Sequence, residues 1–187
     1  LQKNVYGKDL ILEVIRILGV SGALYKALEF TGDTISSLPM DDRFSLCNMA
    51  IEAGAKSGII AADDITKAFL EDKDLAREAQ YFYSDADASY VQTIEIDVSK
   101  LEPVIAYPFL PSNGKSMSHA RADNLKIDQV FIGSCTNGRL SDLRIAAKIL
   151  KNRKVARHTR LIITPATQKI SAAAQKEGLV DIFIAAG

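Results

Sequence analysis

Hydrophobic residues recur at helical spacing near the start of the chain and again within its first third. The first set consists of Leu10, Ile11, Val14, Ile15 and Leu18. This spacing places them on one face of a helix, so we predict a helix over residues 8–18 that ends at Gly19. A second helix is predicted over residues 40–53, because Pro39 suits a helix start and Gly54 suits a helix end.

Shorter apolar and alternating segments fill the rest of the first hundred residues. The predicted strands cover residues 23–30, 57–60 and 91–98. A helix capped by Asp63 or Asp64 is predicted to run to about Leu70, and a polar helix over residues 74–80 follows it. The first part of the chain is therefore predicted to mix helices and strands.

The segment from residue 103 to residue 124 differs in amino-acid composition from its surroundings. It holds three of the five prolines and a polar run over residues 111–116. Such a composition is typical of a linker between domains. We therefore predict two domains, over residues 1–108 and 109–187.

Strands and helices alternate regularly after this segment. The predicted strands cover residues 130–133, 161–164 and 181–185, and the predicted helices cover residues 141–150 and 167–177. Continuous apolar strands joined by helices indicate a parallel sheet with helices on its faces. The predicted fold class is α/β, with two α/β domains, the second a doubly wound parallel sheet cut short at its C-terminus.

Composition and charge restrict the class of protein. The chain has 187 residues, 48% of them hydrophobic, and 23 basic residues balance 23 acidic ones. Zero net charge gives no field that would attract nucleic acid or an anionic membrane, and the apolar runs are too short to span a membrane. The basic stretch over residues 148–160 contains no aromatic residue for base stacking, which favours a solvated loop. We expect no nucleic acid and no membrane as partners.

Cysteine usage and the chain ends add two further expectations. The chain has two cysteines, Cys47 and Cys135, and no visible secretory signal. This combination favours a reducing compartment, with cytoplasm as the default. Because the sequence begins at Leu1 and stops at Gly187 directly after an apolar run, we expect it to be a piece of a longer polypeptide.

Cys135 lies where a parallel sheet exposes its ligand-binding edge. It falls in the loop over residues 133–139, between a predicted strand and a predicted helix. The helix N-terminus and Arg139 both favour a thiolate. A phosphatase loop would need an arginine where Ser141 stands, and a redox pair would need a cysteine where Gly138 stands. A metal or cluster ligand, an anion-binding turn and a small buried residue in a tight turn all stay open.

Asn48 and Glu52 interrupt the apolar pattern of the helix predicted over residues 40–53. Their spacing of four residues places both side chains on one face of that helix. If this face is buried, the amide and the carboxylate need polar partners, which would indicate groups directed into a cleft. If it is exposed, they form a solvated polar stripe. The spacing alone does not distinguish these two interpretations.

Several long motifs, in collinear order, resemble the aconitase superfamily. They cover residues 7–12, 47–55, 131–139, 142–144 and 164–167. The Gly138-Arg139 pair and the run Asp41-Asp42-Arg43 resemble the branch that acts on isopropylmalate and homoaconitate through separate large and small subunits. The resemblance extends over essentially the whole chain and identifies it as a member of this superfamily.

The resemblance implies a hydro-lyase with a [4Fe–4S] cluster and a small hydroxy diacid as its substrate. Cys135 corresponds to one of three cluster thiolates, and Thr136 and Asn137 line the cluster pocket. Asn48 corresponds to a residue that hydrogen-bonds near the cluster. Glu52 corresponds to the residue that contacts the reacting hydroxyl or water and helps manage its proton.

The family's remaining machinery has no counterpart in residues 1–187. The other two thiolates come from a Cys-x-x-Cys motif that is not in this sequence, and a small subunit carrying the swivelling domain supplies further catalytic groups. With one thiolate of three, the chain alone is expected to lack the cluster and to be catalytically inactive. Cys47 is no substitute, because it lies in the helix of Asn48 and is expected to be packed.

Overall fold

The first predicted helix forms where the apolar spacing places it. In the computed structural model, which describes residues 1–187, α1 spans Gly7–Leu18 and buries its apolar face. The carboxylate of Asp9 accepts the backbone N–H of Tyr6 at 2.8 Å and so fixes the start of this helix. Gly19 follows its end with a φ of 74°, which explains the glycine there.

The chain divides into two compact units, Leu1–Asp123 and Asn124–Gly187. The first unit contains α1, β1 (Ala27–Glu29), α2 (Asp33–Ser37), α3 (Met40–Met49), β2 (Ser57–Ile59), α4 (Asp64–Asp72), β3 (Val104–Ala106), β4 (Gly114–Ser116) and α5 (Met117–Ala122). Two short 3₁₀ turns, Ala50–Ala53 and Ala76–Glu78, follow α3 and α4. The predicted domain boundary between residues 108 and 109 stays a prediction.

The core of the first unit forms between α1, α3 and a small parallel sheet. Strands β1 and β2 pair in parallel, with Leu28 opposite Gly58. The buried side chains come mainly from α1 and from the end of α3, including Ile11, Ile15 and Leu46. Removing these apolar side chains from water is the main force that holds the two helices together.

The segment predicted to be a linker folds as part of the first unit. Strands β3 and β4 form an antiparallel hairpin, and α5 follows directly. Val104 packs against the core, and its N–H donates to the carboxylate of Asp9 at 2.7 Å. Burial raises the pKa of Asp9. The linker prediction is therefore wrong, because a proline-rich composition is equally compatible with a short hairpin.

Four other predictions for this unit need correction. Residues 91–98 form no strand, because no neighbouring strand pairs with their backbone. The strand predicted over residues 23–30 is reduced to β1, and the helix predicted over residues 74–80 is reduced to one 3₁₀ turn. The helix predicted over residues 40–53 ends as α3 at Met49 and continues only as a 3₁₀ turn.

The second unit is a parallel strand pair with helices. It contains β5 (Gln129–Ile132), α6 (Leu140–Leu150), β6 (Arg160–Ile163), α7 (Gln168–Lys176) and α8 (Leu179–Ala186). Strands β5 and β6 pair in parallel from Gln129 opposite Arg160 to Ile132 opposite Ile163. Leu143, Ala147, Ala174 and Leu179 form its buried core. Helices together with parallel strand pairs confirm the α/β fold class.

The third strand predicted for this unit is wrong. Residues 181–185 lie within α8, a helix that Gly178 precedes with a φ of 72°. Leu179 and Ala186 are buried while Ile184 is 73% exposed, which is the spacing of a helix with one buried side. A short apolar run fits a buried strand and a packed helix equally well, so its length could not decide between them. No helix combines the length and the apolar character needed to cross a membrane.

Candidate active site

Cys135 lies in the loop that leaves β5 and leads into α6. Its thiol is free and its side chain is exposed. The carboxyl end of β5 and the N-terminus of α6 flank this loop, which spans residues 133–139. This exposure excludes the interpretation of Cys135 as a small buried residue in a tight turn. It agrees with a thiol that is accessible to a ligand.

Two glycines hold this loop against the segment that follows β6. Gly133 has a φ of 98°, and a Cβ at this position would lie 1.9 Å from the carbonyl oxygen of Thr164. The carbonyl of Gly138 accepts the N–H of Ala166 at 2.9 Å. The motifs over residues 131–139 and 164–167, far apart in sequence, therefore meet at the Cys135 loop.

A polar network fixes the residues that follow Cys135. Thr136 is buried, and its hydroxyl donates to the Asn137 side-chain oxygen at 3.0 Å. The amide of Asn137 lies 3.4 Å from both carboxylate oxygens of Asp142, which also accepts the N–H of Arg139 at 2.9 Å. Sequence reasoning missed this role of Asp142, although an acid at the third helical position is a known signal for such a bond.

The position of Asp142 bears on the anion-binding interpretation of the loop. An anion bound at the start of α6 would need the free N–H groups of the first helical turn. The carboxylate of Asp142 accepts the N–H of Arg139, the residue directly before α6, and places a negative charge at this helix start. The structure therefore favours a loop that presents a thiol over a loop that binds an anion.

Asn48 and Glu52 lie together on the exposed side of the first unit. Asn48 is the penultimate residue of α3, and Glu52 lies in the 3₁₀ turn that follows it. Both side chains are exposed, while Met49, Ala50 and Ala53 between and beside them are buried. Because both side chains are exposed, their polar groups require no buried partner. Their joint action with Cys135, which belongs to the other unit, stays a prediction.

Cys47 is unsuited to the role of Cys135. It lies on α3 and is half-buried, and this burial raises the pKa of its thiol. A raised pKa disfavours the thiolate, which is the form that binds metals. The sequence-based expectation that Cys47 is packed agrees with this position.

The burial of Arg43 and its ion pair with Asp63 were not predicted from the sequence. Its side chain on α3 is only 3% exposed, and it forms a two-pronged ion pair with Asp63 at 2.7 Å. Asp63 is also the N-cap of α4, where it accepts the N–H of Thr66 at 3.1 Å. One carboxylate therefore connects the start of α4 to the middle of α3. The sequence signal was limited to the capping position of Asp63.

The ion pair predicts a specific dependence of stability on pH. The Arg43 guanidinium holds the pKa of Asp63 well below its usual range. Folding therefore favours the ionised carboxylate, whose contribution is complete above about pH 4 and is lost as the pH falls below it. Because the Asp63 side chain is 35% exposed and solvent screens the pair, Asp63→Asn is expected to lower the free energy of unfolding of the 187-residue chain by about 1 kcal/mol at pH 7.

Urea unfolding at pH 7 and at pH 3 measures this dependence. The difference between the native chain and the Asp63→Asn variant should be smaller at pH 3. A difference of equal size at both pH values would contradict the account. Asp64→Asn is the matched control, because Asp64 is fully exposed and its contact with Lys67 is 3.4 Å long.

The described residues do not form a complete metal or cluster site. No group of three His, Cys, Asp or Glu side chains in residues 1–187 is arranged to hold a metal ion. Cys135 is the one exposed thiol, and Cys47 is half-buried in the other unit. That Cys135 is a cluster ligand stays a prediction.

Comparison with known proteins identifies the family. A model of the aconitase family (aconitate hydratase) matches residues 1–187, the whole chain. The chain belongs to the aconitase family. This membership confirms the resemblance read from the motifs, and the family implies an iron–sulfur cluster in the complete protein.

Curated members of the aconitase family match the chain closely. The 3-isopropylmalate dehydratase large subunit of Campylobacter fetus subsp. fetus is 74% identical over 185 residues, which cover 99% of this chain. The proteins of the same name from Campylobacter concisus and Nitratiruptor sp. are 73% and 72% identical over 187 residues. The chain spans 44% of the length of each of these relatives.

Proposed function

We propose that residues 1–187 form part of the large subunit of a hydro-lyase that isomerises a small hydroxy diacid by dehydration and rehydration. The observation that carries this proposal is the exposed thiol of Cys135 on a loop braced by Asp142. Identities above 70% to large subunits of 3-isopropylmalate dehydratases support it. The substrate proposed is 2-isopropylmalate, converted to 3-isopropylmalate in leucine biosynthesis.

In this proposal Cys135 supplies one of three thiolates to a [4Fe–4S] cluster, and the remaining polypeptide supplies the other two. The cluster would provide a Lewis acid for the hydroxyl and carboxylate groups of the substrate. Thr136 and Asn137 keep the thiol in place, because their side chains are tied to each other and to Asp142. The network leaves Cys135 exposed on the loop.

Asn48 and Glu52 act from the exposed end of α3 in the same proposal. The Glu52 carboxyl group contacts the reacting hydroxyl or water: it donates a proton to the hydroxyl that leaves as water and recovers one from the water that adds during rehydration. The amide of Asn48 offers both a donor and an acceptor beside it. Exposure of both side chains leaves them accessible to a substrate.

The proposal includes a partner and a location. A small subunit carries the swivelling domain, completes the active site and selects among substrates; the words "large subunit" in the names of the relatives imply a small subunit for those proteins. Neither nucleic acid nor membrane takes part, and the location is the cytoplasm. Homoaconitase or an aconitase-type hydratase is the alternative activity, since the groups that select the substrate would lie on the small subunit.

The test is an isomerisation assay of the full-length large subunit that contains this chain, prepared without oxygen together with its small subunit. We expect interconversion of 2-isopropylmalate and 3-isopropylmalate. Faster conversion of homocitrate would favour the homoaconitase alternative, and no conversion of any hydroxy diacid would overturn the proposal. The 187-residue chain alone, incubated with iron and sulfide, is expected to form no stable brown chromophore and to show no turnover.

A further inference from the structure

We propose that Arg43 is a positioning residue for this active site, which orients Asn48 and Glu52 through the pairing of its buried guanidinium with Asp63. The inference rests on the proposed function of Asn48 and Glu52. Arg43 itself lies away from the exposed side of α3 and is 2% exposed. It acts on the reaction only through the helix that carries the two polar residues.

Arg43 uses every hydrogen-bond donor of its side chain. An arginine side chain has five N–H donors, and all five are used here. Nε donates to the carbonyl of Leu38 at 2.9 Å, and Nη2 donates to the carbonyl of Ser36 at 2.9 Å. Nη1 and Nη2 each donate to one oxygen of Asp63 at 2.7 Å, and Nη1 lies 3.2 Å from the Thr66 hydroxyl. These hydrogen bonds together hold the Arg43 side chain in a single conformation.

The hydrogen bonds of Arg43 connect three consecutive helices. Ser36 belongs to α2, Arg43 to α3, and Asp63 caps α4. The guanidinium therefore fixes α3 against the segments on both sides of it in sequence. Lysine could not replace it, because an ammonium group has three donors and no planar fork to match a carboxylate.

Helix α3 and the turn that follows it connect Arg43 to Asn48 and Glu52. Asn48 follows Arg43 by five positions on the same helix, which is about 7.5 Å along its axis. The helix continues directly into the turn that carries Glu52, and the buried side of that turn is formed by Ala50 and Ala53. A change of tilt at Arg43 is therefore transmitted to the exposed end.

The expected size follows from the tolerance of catalytic geometry. A misplacement of about 1 Å costs about 100-fold in rate. Arg43→Lys in the full-length enzyme with its small subunit should lower kcat by about 10-fold to 100-fold and change KM by less than about threefold. Arg16→Lys is the matched control, because Arg16 also forms a two-pronged pair, with Glu13, but is 48% exposed. The control should change kcat by less than about twofold.

A role in stability alone would also lower activity, so the decisive test is a double-mutant cycle. It is measured at a temperature at which all variants are folded. In a Glu52→Asp background, Arg43→Lys should lower kcat by less than about threefold, because the carboxylate is already displaced. Effects that multiply independently would overturn the proposal, and so would an unchanged kcat in the single variant.

Hydrogen exchange of the 187-residue chain separates this proposal from the proposed function. Arg43→Lys should speed exchange of the amides of residues 48–53 by about 10-fold or more. The same amides should exchange at the native rate in the Arg16→Lys variant, and the amides of α6 should exchange at the native rate in both variants. Unchanged exchange at residues 48–53 would overturn the positioning role. If the native enzyme shows no isomerisation, the proposed function fails, while the exchange result still decides whether Arg43 orders this segment.

Discussion

Cys135→Ser in the full-length subunit is expected to lower the isomerisation rate by more than about 100-fold. Changing an outer partner of a metal ligand already costs about 10-fold to 100-fold, and here the ligand itself is lost. A serine hydroxyl stays protonated near neutral pH, so it cannot replace a thiolate in a cluster. Initial rates of 2-isopropylmalate conversion, measured without oxygen and with the small subunit, test this.

Cys47→Ser provides the matched control for this substitution. It changes the same atom in the same polypeptide, but the Cys47 thiol is half-buried and its pKa is raised by burial. The control variant should retain most of the native rate. A Cys135→Ser enzyme that matches the control in rate would contradict the role assigned to Cys135.

Gly133→Ala should have the largest effect on the stability of the second unit. The added Cβ would lie 1.9 Å from the carbonyl oxygen of Thr164, and the φ of 98° is unfavourable for alanine. Backbone must therefore move, at a cost of about 3 kcal/mol or more. Chemical denaturation of the 187-residue chain, followed by a probe in the second unit, measures the loss.

Gly178→Ala separates the two causes of that loss. Gly178 also has a positive φ, of 72°, but a Cβ there would have no atom within 4 Å. This variant should lose only about 1 kcal/mol, which is the cost of the left-handed conformation. Equal losses in both variants would show that the contact between the Cys135 loop and Thr164 is unimportant.

Helices with a clear apolar face were predictable from the sequence. Strands, which form only where a neighbouring strand pairs with them, were predictable only in part. Helices α1 and α6 formed close to their predicted bounds because three or more apolar residues define one side of each. Residues 91–98 alternate like a strand, but a strand also needs a partner, and no local pattern supplies one. Residues 181–185 were misassigned because a five-residue apolar run does not distinguish a strand from a helix.

The candidate site shows the same division between local and long-range information. The position of Cys135 at the end of a strand followed from the local order of apolar and small residues. The bonds from Arg43 to Asp63 and from Gly138 to Ala166 join residues that are separated along the chain, and only the fold brings them together. The exposure of Asn48 and Glu52 likewise required the fold, since their spacing fitted a buried face and a solvated one.

Iron and sulfide content is the most direct measurement of the central claim, that Cys135 holds a cluster from the loop after β5. The full-length large subunit and its Cys135→Ser and Cys47→Ser variants would be reconstituted without oxygen and analysed per polypeptide. We expect about four iron atoms in the native protein and in the Cys47 variant, as a [4Fe–4S] cluster requires, and a large loss in the Cys135 variant. Equal iron and sulfide in all three proteins would contradict the account.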